Sequence, residues 1–163
     1  MGLVARHGRR RPGALVDPGR RYGPPVRVAR KTKIDLLRRI PLFAECSRRE
    51  LEAAARAADE LALPAGRVLM RQGARGRELV VLIEGEVTVE RDGKPIAVLR
   101  GGDFLGELAL LSGAPRTATV TAVTDLRTLV LDGVGFDRLL RDVPSVSAKV
   151  LRALAERLPA DDV

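Results

Sequence analysis

From Lys33 onward the apolar residues fall into two periods, one helical and one alternating, and the switches between them divide the chain into elements. KIDLLRRIPLF predicts a short helix that stops before Pro41, because proline disfavours the helical conformation in the residue ahead of it. Ser47 and Glu50 form an S-x-x-E capping box, and Leu51, Ala54, Ala55 and Ala58 share one face of a helix predicted over 47–60. The pattern then becomes β. RVLMRQ, ELVVLIEG, EVTVERDGK, PIAVLR, RTATVTAVT and LRTLVLD are short, apolar or alternating, and rich in Val, Leu and Thr. Asp92-Gly93 is a hairpin-turn pair, and Gly66, Gly73, Gly76, Gly85, Gly101 and Gly102 punctuate the run at the spacing of a sandwich or roll. Two helices follow. One carries Phe136, Leu139 and Leu140 at i, i+3, i+4; the other, after Pro144, carries Val146, Val150, Leu151, Leu154 and Leu158 before Pro159 ends it. The expected architecture is mainly β with flanking helices, its body a small antiparallel barrel.

One segment breaks the β pattern. DFLGELALLSGAPRTA, residues 103–118, inserts a helical turn or two, opened by Gly106 and ended near Gly113, before a strand predicted to start at Arg116. Such a turn offers open backbone N–H groups, expected from Leu108 and Ala109, that attract an anion. Gly106 lets a ligand approach the backbone, and Arg116 supplies a planar guanidinium able to engage a phosphate through two parallel bonds. Glu107 is the oddity, since a carboxylate beside a phosphate repels it unless a separate donor is present. A ribose hydroxyl is such a donor. When a phosphate bridges the 3′ and 5′ oxygens only the 2′-OH stays free, and one acceptor suffices. Taken singly, Glu107 also suits a first helical turn, Arg116 a solvated strand end, and the glycines ordinary turns; their joint spacing, G-E-L-A followed by P-R-T-A, favours binding.

At these residues the chain resembles the phosphate-binding cassette of cyclic-nucleotide-binding domains, a family that includes catabolite-activator-type regulators, protein kinase A regulatory subunits and cyclic-nucleotide-gated channels. The resemblance covers residues 34–158 and implies a double-stranded β-helix jelly-roll barrel with N-terminal helices and two C-terminal helices. It implies Glu107 on the ribose 2′-OH, Arg116 on the cyclic phosphate, and backbone N–H groups of Leu108, Ala109 and Ala118 completing the cradle at Gly106. Thr117 is placed to bond phosphate or purine, which leaves cAMP and cGMP both open as ligand. The family caps the purine with its final helix, here through Leu151, Leu154 or Leu158.

Composition and charge narrow what such a domain does. The chain has 163 residues and a net charge of +8, enough for one domain of ordinary size plus an appendage. Residues 1–33 hold ten Lys/Arg against the single acid Asp17, whereas 34–163 hold nineteen basic and twenty acidic residues. The excess is therefore a Gly- and Pro-rich basic arm, expected to be disordered, and 34–163 is a balanced domain without the footprint that duplex DNA needs. The arm is a candidate contact for a protein effector or an anionic partner. The Ala-, Arg-, Gly- and Val-rich usage fits a GC-rich genome, and initiation at Val26 or Val28 is an alternative start. The single cysteine, Cys46, forms no intrachain disulfide, and no apolar run reaches the roughly 20 residues of a bilayer span, so a cytoplasmic protein is expected. The lone His7 lies in the arm, which argues against a cupin-type metal centre and against Ser-His-Asp or Cys-His catalysis; neither enzyme activity nor a cofactor is expected. The sequence stops five residues after Leu158, so no DNA-reading helix-turn-helix is expected. A helix over 145–158, about 21 Å long, suits a monomer or weak dimer. The leading expectation is a cyclic-nucleotide sensor; the alternative is a catabolite-activator-type transcription regulator that lacks the helix-turn-helix and acts through a partner.

Overall fold

The computed structural model describes residues 29–157, which divide into two compact units, Glu60–Val130 and the residues on either side of it. The central unit is β. Its strands are β1 (Asp59–Leu63), β2 (Val68–Met70), β3 (Glu78–Glu84), β4 (Glu86–Arg91), β5 (Lys94–Arg100), β6 (Phe104–Leu105), β7 (Thr119–Ala122) and β8 (Leu126–Asp132). They form two four-stranded sheets, ordered β1-β8-β3-β6 and β2-β7-β4-β5. The alternation in EVTVER sets which side faces in. Val87 and Val89 lie opposite Ala122 and Val120 across the antiparallel β4–β7 pair, and all four are buried. With Leu61, Leu63, Leu69, Met70, Val80, Leu82, Ala118, Leu126 and Val130 they make one apolar core between the sheets, the jelly-roll arrangement the resemblance implies.

Turn chemistry holds the registers. Asp92 and Gly93 both have positive φ, 53° and 75°, the mirror-image turn geometry that matches strand twist in a two-residue hairpin. Gln72 steadies this turn from outside, donating to Asp92 Oδ1 and accepting from the Asp92 N–H, each at 2.8 Å.

The flanking unit is helical: α1 (Arg30–Arg38), a single 3₁₀ turn (Pro41–Phe43) and α2 (Arg48–Ala57) precede the sheets, and α4 (Gly133–Asp142) and α5 (Pro144–Arg157) follow them. A one-turn helix inside the sheets, α3, is Ala109–Ser112. The capping box forms as expected, with Ser47 Oγ accepting from the Glu50 N–H at 3.2 Å and Glu50 Oε1 accepting from the Ser47 N–H at 2.7 Å. Glu50 is 6% exposed and pairs with Lys149. Burial alone would push its carboxyl up; hydrogen bonds from Lys149, Ser145 and Ser47 outweigh that and hold it at about 2. Burial and the Glu50 charge push the neighbouring Cys46 thiol up to about 11, so it is a poor nucleophile at neutral pH. Asp132 caps α4 by accepting from the Gly135 N–H at 2.7 Å, and Phe136 meets Phe43 edge to face, 6.4 Å between ring centres.

The sequence expectations differ from the fold at several points, among them β1 and β6, strands where none is expected. α1 begins at Arg30, inside the stretch assigned to the arm, where Arg30 pairs with Glu52 at 3.2 Å; residues 1–28 lie outside the described chain. α2 ends at Ala57 rather than 60, because Ala58 turns extended (φ −93°, ψ 142°) to enter β1. The strand expected from Arg116 starts at Thr119. On α5 the buried stripe is Val146, Val150 and Ala153, leaving Leu151 66% exposed rather than in line with them. Among the described residues no helix is long and apolar enough to cross a membrane.

Candidate functional site

The segment singled out by sequence is a tight turn between β6 and β7. Gly106 adopts φ +80°, and a Cβ there would lie 2.3 Å from the Glu78 carbonyl oxygen and 2.7 Å from Arg116 Nη1, so only glycine fits. Glu107 follows, 5% exposed, and Leu108, 55% exposed, leads into α3. Gly113 closes the turn in the left-handed conformation (φ 62°), its N–H donating to Ala109 O at 2.9 Å. Ser112 Oγ donates to Leu108 O at 3.3 Å and accepts from the Ala114 N–H at 3.2 Å.

The chain beyond Gly113 is pinned to the loop that leads into β3. Pro115 bridges Arg75, the Arg116 N–H donates to Ala74 O at 2.8 Å, and the Gly73 N–H donates to Arg116 O at 2.8 Å. Two backbone bonds on one residue fix where the Arg116 side chain starts. That side chain is 8% exposed, and every hydrogen bond it makes goes to one residue: Nη2 donates to Glu78 Oε2 at 2.8 Å and to Glu78 O at 3.3 Å. Nη1 is buried and has no acceptor.

A guanidinium is costly to bury, and the Glu78 carboxylate offsets the charge. The Nη1 protons remain uncompensated, at a cost of roughly 1–3 kcal/mol for an unsatisfied buried donor. An oxyanion against Nη1 would remove it. Gly76 and Gly106 keep that guanidinium clear of side chains: a Cβ on Gly76 would stand 3.0 Å from Arg116 Nη2 and 2.8 Å from Glu78 Oε2. The site is thus a small, glycine-walled cradle around one prepaid cation.

The Arg116 guanidinium lies alongside Gly106, where an added Cβ would stand 2.7 Å from Nη1, and Glu107 is buried in the same turn. Thr117 is exposed, and its carbonyl accepts from Arg91 Nε at 3.1 Å; Ala118 belongs to the core. The Ala109 N–H, expected to be open, donates to Gly106 O at 3.1 Å. With four residues α3 is one turn long, so its dipole adds little and the anion-attracting element is Arg116. Of the lid candidates, Leu151 is exposed on α5, the Leu154 side chain is outside the described part, and Leu158 lies outside the described residues. Sequence reading missed Glu78. It sits 38 residues before its partner, and as the first residue of an apolar strand it reads as an ordinary solvated end.

Comparison with known proteins agrees with this geometry. The family model for the cyclic nucleotide-binding domain matches residues 60–143. A cyclic nucleotide-gated potassium channel of Rhizobium etli is 36% identical over 122 residues, which is 75% of this chain and 34% of the channel. The chain thus spans about a third of that relative's length. Among solved structures, the N-terminal domain of a transcriptional regulator from Streptomyces coelicolor superposes with a TM-score of 0.70 at 36% identity, covering 76% of this chain and 91% of that one. The regulatory domain of Toxoplasma gondii PKA with cAMP superposes with a TM-score of 0.62 at 32% identity, covering 69% and 45% of the two chains. Fold, cradle and similarity coincide on one conclusion: the chain belongs to the cyclic nucleotide-binding domain family.

Proposed function

We propose that this chain is a regulatory sensor that binds cAMP or cGMP in the 106–118 turn and has no catalytic or sequence-specific DNA-reading activity of its own. The observation that carries the reading is Arg116: a buried guanidinium, aimed by Glu78, with Nη1 lacking an acceptor. A cyclic phosphate oxygen supplies that acceptor. Glu107 takes the ribose 2′-OH, backbone N–H groups of Leu108 and Ala118 complete the cradle at Gly106, and Thr117 bonds phosphate or purine. The final helix covers the base through Leu151, Leu154 or Leu158. Binding shifts the population toward the covered state, and that shift is the signal read by an effector.

The domain acts in the cytoplasm as a monomer or weak dimer, and the basic segment 1–33 is its contact with a protein effector or an anionic partner. Likeness to the N-terminal domain of a Streptomyces regulator supports a second reading, a catabolite-activator-type transcription regulator working through a partner that supplies the DNA contact. Calorimetry with cAMP, cGMP and 5′-AMP on the wild type and Arg116→Ala tests the first. We expect one site for a cyclic nucleotide and at least a 100-fold loss of affinity in the variant, since charge-assisted phosphate bonds are each worth about 1.5–3 kcal/mol. Binding unchanged in Arg116→Ala would refute it.

A further inference from the structure

We infer that Arg77 is a positioning residue for the nucleotide-binding turn, its guanidinium holding the end of α3 so that the turn is set before a ligand arrives. The inference rests on the function proposed above and assigns a residue outside the 106–118 segment to it.

A helix of four residues cannot hold itself, because nucleation costs more than one turn of hydrogen bonds returns. Its carbonyls must also find donors. Leu108 O accepts from the Leu111 N–H at 3.2 Å and the Ser112 N–H at 3.3 Å, and Ala109 O accepts from the Gly113 N–H at 2.9 Å. Leu110 O is satisfied from elsewhere in the chain: Arg77 Nε donates to it at 2.9 Å and Arg77 Nη2 at 2.5 Å. A fork of two donors on one carbonyl fixes direction as well as distance, and a cation at the C-terminal end of a helix is favourable in sign.

The stem of Arg77 is also fitted. A Cβ on Gly113 would stand 3.3 Å from both Cγ and Cδ of Arg77, so the left-handed glycine that ends α3 lies directly against the arginine's methylenes. Leu110 itself is fully buried, which anchors the opposite face of the turn. The next residue along the chain is Glu78, which holds Arg116. Two consecutive residues therefore grip the two halves of the segment: Arg77 the helical turn, Glu78 the phosphate arginine. Because Nε and Nη2 are committed to a carbonyl, Arg77 acts through the turn.

The test uses the full chain as wild type, Arg77→Met, which keeps the stem without the fork, and Arg77→Lys, which keeps the charge with a single point donor. In nucleotide-free protein, amide hydrogen exchange at 111–113 is expected to accelerate in Arg77→Met while β4 and β7 keep their wild-type rates. Calorimetry is expected to give a Kd about tenfold higher for Arg77→Met, as apparent affinity falls with the fraction of competent turn. Arg77→Lys is expected to fall between, and saturating nucleotide to restore protection at 111–113. Unchanged exchange at 111–113, or a Kd within twofold of wild type, would overturn the inference. So would acceleration spread equally over β4 and β7 in both variants, which would make Arg77 a general stabilising residue. A wild type that binds neither nucleotide would defeat the proposed function instead, and the nucleotide-free exchange comparison would still decide whether Arg77 sets the turn.

Discussion

Glu50 in the helical unit and Arg116 in the β unit are both buried charges, exposed by 6% and 8%, yet they are satisfied in different ways. Glu50 draws donors from Ser47, Ser145 and Lys149, and its low pKa, about 2, records how firmly its charge is held. It also closes a helix cap through Oε1, and the atom it leaves buried without a partner, Oε2, is an acceptor and offers an anion nothing. Arg116 draws on Glu78 alone and leaves Nη1 with no acceptor. Burial of a charge therefore does not by itself mark a site. What marks it is a donor held rigid and left over, in a place where two glycines keep side chains away.

The contrast is sharpened first by Glu78→Ala. Removing one partner of a buried pair typically costs about 3–5 kcal/mol, and a fall of that order in denaturant-unfolding free energy is expected here. A midpoint equal to wild type would mean that Arg116 does not depend on Glu78. Gly106→Ala comes next: the positive φ and a Cβ 2.3 Å from Glu78 O are expected to cost about 1–3 kcal/mol of stability and to abolish nucleotide binding in the same calorimetric assay.

Glu50→Gln has the least effect on binding, with nucleotide affinity within twofold of wild type, although losing a carboxylate whose pKa is held at about 2 is expected to cost on the order of 3 kcal/mol of stability. Its pH dependence has a definite sign. The folded carboxyl lies at about 2, below the ordinary value of 4.5, so its contribution is full above pH 4.5 and is lost as pH falls from there toward 2. The stability difference between wild type and Glu50→Gln should therefore shrink across that window, followed by urea unfolding at successive pH values. A difference that grows on acidification would contradict the assignment.

These two charges also explain what was legible in the sequence. The Glu50 cap is local, three residues from Ser47, and S-x-x-E announces it. The Asp92-Gly93 hairpin and the G-E-L-A and P-R-T-A spacings are local too. Glu78 and Arg77 were hidden because their partners, Arg116 and Leu110, lie 38 and 33 residues away, so only the folded chain reveals what they grip. Strand β1 was hidden for a related reason. It follows an alanine-rich helix with no glycine or proline between, and its extended form is decided by pairing with β8 across the sheet. Leu151 was misassigned to the buried stripe because Val150 and Leu151 are adjacent, and one helix face cannot bury both.

The central claim is that the spare Nη1 of Arg116 awaits a cyclic phosphate, and thermal unfolding with and without nucleotide tests it most directly. Nucleotide at 100 times its Kd should stabilise the wild type by about 2.7 kcal/mol, seen as a raised Tm, and leave Arg116→Ala unshifted. A folded wild type whose Tm does not move at millimolar cAMP or cGMP, or an Arg116→Ala protein that shifts as far as wild type, would contradict it.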